Sequence, residues 1–286
     1  MAVCSVCFRH CSIEEGGTGF CGGRVCRDGR ITAGNYGRIT ALALDPIEKK
    51  PLARFYPGSR ILSVGSYGCN LRCPFCQNHD ISWSDEARRF VTEAETVTPE
   101  ELAEAALRYR SRGNIGVAFT YNEPLIGYEF VRDTAYLVRQ NGMKNVLVTN
   151  GTAELPILEE ILPYIDAMNI DLKGFTDRYY REVLDGSRQM VLDFIARAVQ
   201  TCHVELTTLI IPGENDAEEE MREMTAWIAS LPGGECHASG KEIPLHITRF
   251  FPRFHMTDRE ATKIRTIFRL VETAKEQLTY VYTGNV

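Results

Sequence analysis

The sequence predicts an α/β fold, a TIM-like partial (βα)6 barrel with a cysteine-rich irregular N-terminal appendage, and three observations point to it. From about residue 59 onward, short apolar runs alternate with amphipathic stretches, the rhythm of βα units laid around a parallel sheet. Eight of the ten cysteines (Cys4, Cys7, Cys11, Cys21, Cys26, Cys69, Cys73 and Cys76) fall at or before residue 76. The 286 residues are 44% hydrophobic and 24% charged, enough for one substantial core, which excludes a disordered or collagen-like chain.

Residues 1–58 lack the βα rhythm, are rich in Gly and Cys, and read as a segment held by metal or by packing; residues 59–286 read as the barrel domain. Strands are expected at Ile61–Ser66, Ile115–Thr120, Asn145–Thr149, Ala167–Asp171, Val204–Ile211 and Leu245–Phe250, with a seventh at Tyr280–Tyr282. Between them, Pro99–Arg112 reads as a helix capped by Thr98 with Pro99 at its first position, and Ala217–Ser230 as a helix capped by Asp216. Repetition of βα units leaves a doubly wound open sheet as the competing architecture. In both, ligands bind beyond the C-terminal ends of the strands, so the residues after each apolar run are the functional candidates.

Net charge is −6, which argues against a general nucleic-acid binder. Residues 1–58 carry +3 and the remainder −9, a mild asymmetry that reads as solvated surface. No stretch approaches the ~18 apolar residues of a membrane span. The N-terminus MAVCSVCFRH lacks the apolar run of a signal peptide. A cytoplasmic chain with reduced thiols is therefore expected, rather than a secreted disulfide framework.

The segment Gly68-Cys69-Asn70-Leu71-Arg72-Cys73-Pro74-Phe75-Cys76 places three thiols on one loop, directly after the first expected strand. Three thiolates suit a soft-metal or iron–sulfur site. A closed zinc site would need a fourth ligand, for which His79 is available. A four-iron cluster on three cysteines instead leaves one iron without a protein ligand, open to a cofactor or substrate.

The spacing C-x3-C-x2-C, with the aromatic Phe75 before the last cysteine, resembles the signature of radical S-adenosylmethionine (SAM) enzymes. The phrases DPIEKKPL (45–52), FYPGS (55–59), GCNLRCPFCQN (68–78) and TYNEP (120–124) resemble the AmmeMemoRadiSam system radical SAM enzymes, a branch similar to pyruvate formate-lyase activating enzymes. The similarity runs from the first cysteines to the terminal YVYTGNV. It implies a [4Fe-4S] cluster on Cys69, Cys73 and Cys76, with SAM chelating the open iron through its amino and carboxylate groups. One electron would cleave SAM to methionine and a 5′-deoxyadenosyl radical that abstracts hydrogen from a substrate. The cofactors carry the radical chemistry while the protein positions them, so no side chain is assigned as acid or base.

The same resemblance implies the cofactor contacts. Glu123, in Tyr121-Asn122-Glu123-Pro124, would accept the SAM ammonium, although the phrase alone is a turn entering a helix. Asn150, in Val148-Thr149-Asn150-Gly151, would meet a ribose hydroxyl or carboxylate, although Asn-Gly is first a turn signal. Asp171 and Lys173 share a face by alternation; Lys173 would take the SAM carboxylate and Asp171 lie near a monovalent cation. His246 would contact SAM near its adenosine end, against the alternative of a satisfied core histidine. Ile211–Asp216 reads as a helix-entry loop, and Cys202, His203, Cys236 and His237 are assigned nothing.

Cys4, Cys7, Cys11 and Cys21 supply four thiolates in one short Gly-rich stretch, suiting a structural zinc knuckle or a second iron–sulfur cluster. Zinc is the simpler staple for an irregular appendage, since its binding energy is folding energy. Cys26 is one cysteine too many. Members of the resembled family carry Asn at that position and continue after the GNV phrase into a Cys-Pro-x-Cys segment. The implied partners are flavodoxin or ferredoxin as electron donor, with Memo-type and AMMECR-type proteins or a glycyl radical enzyme beyond it. The alternative reading is a non-catalytic zinc or iron–sulfur scaffold binding protein or RNA partners.

Overall fold

A computed structural model describes residues 1–286, and one eight-stranded sheet organises them. Its strands are β1 (Ala41–Pro46), β2 (Arg60–Gly65), β3 (Asn114–Phe119), β4 (Lys144–Thr149), β5 (Ala167–Asp171), β6 (His203–Ile210), β7 (Leu245–Arg249) and β8 (Val281–Gly284). Strands β2 to β8 lie side by side in chain order, all parallel, while β1 runs antiparallel along the outer edge of β2. The seven expected strands are β2 to β8, with ends agreeing to within one or two residues. A doubly wound sheet reverses its strand order at a switch point. Here the order never reverses and β8 does not pair with β1, so the sheet is a singly wound, partly open barrel.

Six helices complete the βα units: α1 (Pro99–Arg108), α2 (Tyr128–Gln140), α3 (Leu155–Ile161), α4 (Arg188–Ala198), α5 (Glu218–Ser230) and α6 (Ile264–Lys275). Thr98 caps α1 as expected: its hydroxyl accepts the Glu101 N–H at 3.2 Å, and the Glu101 carboxylate accepts the Thr98 N–H at 2.8 Å. The expected Asp216 cap of α5 is not formed. Asp216 instead accepts the Gly213 N–H at 2.9 Å, closing the turn before the helix, and Ala217 takes the cap position. Glu218, Glu219 and Glu220 then face the positive end of the helix dipole without a capping side chain.

Residues 1–40 add no strand to the main sheet, although Cys4, Val6, Ile13 and Ile39 join its core, whereas residues 41–58 become part of the barrel itself. Strand β1 covers the free edge of β2, which would otherwise expose a row of unpaired backbone groups. Beyond it, Ile47, Leu52 and Phe55 form a buried apolar cluster with Ile61, Ala118, Val146 and Ala167, plugging the barrel interior at the N-terminal ends of the strands. An open six-unit barrel cannot fill its own floor, and residues 41–58 fill it. The first forty residues form short hairpins, one of which (Arg24–Arg27 with Arg30–Ala33) turns on Asp28-Gly29 with both φ angles positive, at 52° and 69°.

Candidate active site

The site forms where β2 ends and the chain enters the cysteine loop. Asn122, just past β3, pins this loop: its carbonyl oxygen accepts the Ser66 N–H at 3.0 Å, and its amide donates to the carbonyls of Tyr67 and Gly68 at 3.2 and 3.1 Å. Arg72 folds back to donate to the Cys69 and Leu71 carbonyls, each at 2.9 Å. Tyr121 adopts φ of 74° and packs its ring over Gly65, where a Cβ would come within 2.8 Å of the ring. Its hydroxyl donates to Asp45 at 2.7 Å. Against the pull of burial, Lys50 and Tyr121 hold Asp45 well below the usual carboxylate range.

Cys69, Cys73 and Cys76 line a cavity of about 290 Å³ at the C-terminal ends of the strands, together with Glu123, Asn150, Asp171 and Lys173. That volume sits near the lower end of the ~300–1,000 Å³ typical of cofactor pockets. The Cys69 sulfur accepts the Leu71 N–H at 3.5 Å. Burial pushes the Cys73 thiol up to about 12 and raises Cys69 and Cys76 as well, so ligation must expel protons. The Tyr179 hydroxyl is fully buried without a partner, within electrostatic reach of Cys73.

These observations test the two ligand readings. No three His, Cys, Asp or Glu side chains gather as ligands of a single metal ion. His79, the candidate fourth zinc ligand, is not among the cavity's lining residues; its ring stacks on Phe254 with centroids 4.1 Å apart. Three spaced thiols around an open cavity fit a multi-iron cluster, which takes each cysteine on a different iron.

Glu123 is 3% exposed. Its carboxylate accepts the Thr149 hydroxyl at 2.7 Å, the Asn150 N–H at 2.8 Å and the Leu125 N–H at 3.1 Å. Burial pushes its carboxyl up to about 7 against these three donors. Two carboxylate oxygens accept about four hydrogen bonds, so capacity remains for a donor from the cavity. Lys173 reaches Asp171 at 2.6 Å; burial opposes its charge, yet Asp171 and Cys73 hold it well above its ordinary value. The two residues expected to share a face do meet, with the ammonium facing the thiols.

Asn150 and His246 both have polar partners within the chain. Asn150 lines the cavity, but its amide donates to the Asn70 carbonyl oxygen at 3.0 Å and lies 3.8 Å from the Cys69 sulfur, while its oxygen accepts from Thr152. Its side chain thereby ties the cysteine loop to the end of β4. His246 does not line the cavity at all. It lies one interior layer below Thr248, with Nε2 2.7 Å from Glu205 and its ring stacked on Tyr282 at 5.2 Å. The reading of the sequence missed Asn70, which bonds Asn150 and also donates to Thr152 at 2.8 Å, although its place beside Cys69 was the available signal.

Residues 63–225 match the Radical SAM superfamily, a stretch that begins in β2 and ends within α5. The chain belongs to the radical SAM superfamily. This radical SAM protein is 41% identical over 285 residues to the uncharacterized protein MJ0808 of Methanocaldococcus jannaschii, covering 99% of this chain and 81% of that one. It is 28% identical over 169 residues to the pyruvate formate-lyase 1-activating enzyme of Escherichia coli K12, covering 57% of this chain and 65% of that enzyme. Its fold resembles a radical SAM methyltransferase from Sphaerobacter thermophilus, with a TM-score of 0.59 and 15% identity over 80% of this chain and 67% of that one. A domain of the pyruvate-formate lyase-activating enzyme from Bacteroides vulgatus gives a TM-score of 0.50 at 19% identity, over 59% of this chain and 99% of that domain. Membership assigns a SAM and iron–sulfur cofactor in general and a SAM-dependent radical enzyme's role. No helix is long and apolar enough to cross a membrane.

Proposed function

We propose that Cys69, Cys73 and Cys76 hold a [4Fe-4S] cluster in this cavity and that Glu123 and Lys173 hold the two ends of the SAM amino acid. The observation that carries the reading is the convergence of three loop thiols, a buried carboxylate and a buried ammonium on one cavity at the strand ends. When reduced, such a cluster supplies the electron that splits SAM into methionine and a 5′-deoxyadenosyl radical, which takes hydrogen from the substrate. The chain's own residues do the positioning. Glu123 has acceptor capacity for the SAM ammonium, and Lys173 keeps two donors for the SAM carboxylate beyond its bond to Asp171. Asp171, 32% exposed at its side chain, is the group available to a monovalent cation. Asn150, Asn122 and Arg72 fix the loop that presents the thiols.

Likeness to the pyruvate formate-lyase activating enzymes supports an activating-enzyme type of reaction, in which the hydrogen comes from a glycyl residue of a partner protein. The phrases at 45–52, 55–59 and 120–124 support the AmmeMemoRadiSam branch, with Memo-type and AMMECR-type partners and flavodoxin or ferredoxin as reductant. Electron paramagnetic resonance of the anaerobically reconstituted, reduced protein tests the cofactor assignment. The reduced-cluster signal changes shape when SAM is added, and the SAM-responsive signal is absent after Cys69, Cys73 and Cys76 are all replaced by Ala. A signal indifferent to SAM in the intact protein would sink the reading. Genes for Memo-type and AMMECR-type proteins beside this one, or for a glycyl radical enzyme, decide between the two branches.

A further inference from the structure

Four thiols outside the active site enclose a second, much smaller cavity. Cys4, Cys7, Cys11 and Cys21 line it with the apolar side chains of Ile13 and Ile126. The Cys4 N–H donates to the Cys11 carbonyl at 2.9 Å, folding the first three into one loop, and Cys21 joins from the following stretch. Cys7 lies within electrostatic reach of Cys4 and Cys11, and Cys21 within that of Cys7 and Cys4. The surplus cysteine is separated from them: Cys26 is fully buried in the hairpin and its sulfur meets Glu15 at 3.8 Å. What remains is a complete set of four.

Three features of this cavity point to its ligand. First, all four thiols face one buried void, a soft donor set suited to zinc or an iron–sulfur cluster. Second, the Arg24 side chain lines the cavity at 5% residue exposure with its Nε–H unpartnered. A buried donor without an acceptor implies one that the chain does not supply. Third, the cavity has room for about one water-sized sphere, 10 Å³. Zinc bonds sulfur at about 2.3 Å, too close to leave space for a sphere of about 1.4 Å radius at the centre. No three of these thiols gather as ligands of one ion. A four-iron cube binds each thiolate through a separate iron, holding the sulfurs farther apart, and its sulfides are acceptors for Arg24.

We infer that Cys4, Cys7, Cys11 and Cys21 ligate a second [4Fe-4S] cluster rather than a zinc ion. This cluster lies against the active-site loop, since the Cys69 N–H donates to the Cys21 carbonyl at 3.1 Å.

The test uses the full chain carrying C69A, C73A and C76A, which removes the active-site thiols and leaves only this site. After anaerobic reconstitution with iron and sulfide, elemental analysis should return about four irons and about four acid-labile sulfides per chain and no stoichiometric zinc. One zinc per chain, or no metal, overturns the inference while leaving the active-site assignment intact. In the otherwise unchanged chain, Cys4→Ser with Cys7→Ser should halve the iron content; unchanged iron there overturns it too. Should that double variant fail to fold, the triple variant alone decides.

Discussion

The backbone N–H of Cys69 donates to the carbonyl of Cys21 at 3.1 Å, so the first cysteine of the active-site loop hangs from the last cysteine of the N-terminal set. Gly68 makes this approach feasible. Its φ is +94°, and a Cβ there would lie 2.6 Å from the Cys21 carbonyl oxygen and 2.7 Å from Ile126 Cδ1. Phe20 reinforces the junction, with the guanidinium groups of Arg9 and Arg72 over its ring at 3.4 and 3.7 Å.

Gly68→Ala should therefore destabilise the fold more than a glycine replacement that only strains the backbone. Gly58 is the control, with φ +81° and nothing within 4 Å of a built Cβ. Gly58→Ala should cost about 1–2 kcal/mol, the left-handed penalty alone. Gly68→Ala should cost roughly 3 kcal/mol or more, because the carbonyl must also move. Denaturant melts of the two variants measure the difference, and equal losses would show that the junction is not tight.

Cofactor affinity separates the residues that face the cavity from the one that lies below it. Glu123→Gln and Lys173→Met should each weaken SAM binding by roughly 10- to 100-fold, the worth of a charge-assisted hydrogen bond at about 1.5–3 kcal/mol. His246→Asn should leave the dissociation constant within about twofold, since His246 contacts Glu205 and Tyr282 instead. Equilibrium dialysis of labelled SAM against the reconstituted protein reads all three. A large loss in the His246 variant would return that residue to the cofactor site.

The layer that holds His246 is built around one buried carboxylate. Glu205 is 0% exposed and accepts the N–H groups of Ala53 and Arg54 at 2.9 and 2.8 Å, with His203 and His246 at 2.9 and 2.7 Å. Burial alone would raise its carboxyl, but these partners bring it down to about 2 from an ordinary 4.5. A depressed carboxyl adds stability above its unfolded value and loses it as pH falls through the folded one. Glu205→Gln should cost about 3 kcal/mol at neutral pH. The gap to wild type should close between pH 4.5 and about 2 in acid-dependent melts. A gap independent of pH would contradict the network.

His237 titrates in a different window. Its Nε2 accepts the Val204 N–H at 3.0 Å, and burial brings it down to about 4 from an ordinary 6.5. The folded state thus resists protonation that the unfolded chain accepts, so stability falls as pH drops from 6.5 toward 4, by about 3 kcal/mol. His237→Gln keeps an acceptor without the titration. Its stability profile should be flatter across that window, and a slope equal to wild type would assign the loss to other groups.

Much of this architecture was legible along the chain. Runs such as Ile115-Gly116-Val117-Ala118-Phe119 carry the barrel because a parallel strand buried on both faces reads as a continuous apolar stretch, and Thr98-Pro99 with Glu101 marks a helix start by local hydrogen bonding. The grouping of the three thiols that line the cavity was legible because one loop holds them all. What escaped depends on distant contacts. Strand β1 joins the sheet only by covering the edge of β2, and Leu52 plugs a floor built from other strands. Asp216 was misplaced because Asp closes a turn as readily as it caps a helix. The partners of His246 were not legible either: the register sets it beside Thr207, and its ring meets Glu205 and Tyr282, which lie on neighbouring strands.

The most direct measurement of the central claim is SAM turnover by the anaerobically reconstituted protein given a strong one-electron reductant, with Cys73→Ala alongside. Wild type should release 5′-deoxyadenosine and methionine in equal amounts, and the Cys73 variant should release neither above background. No 5′-deoxyadenosine from a protein carrying its active-site iron, or equal yields from the two proteins, would contradict the account.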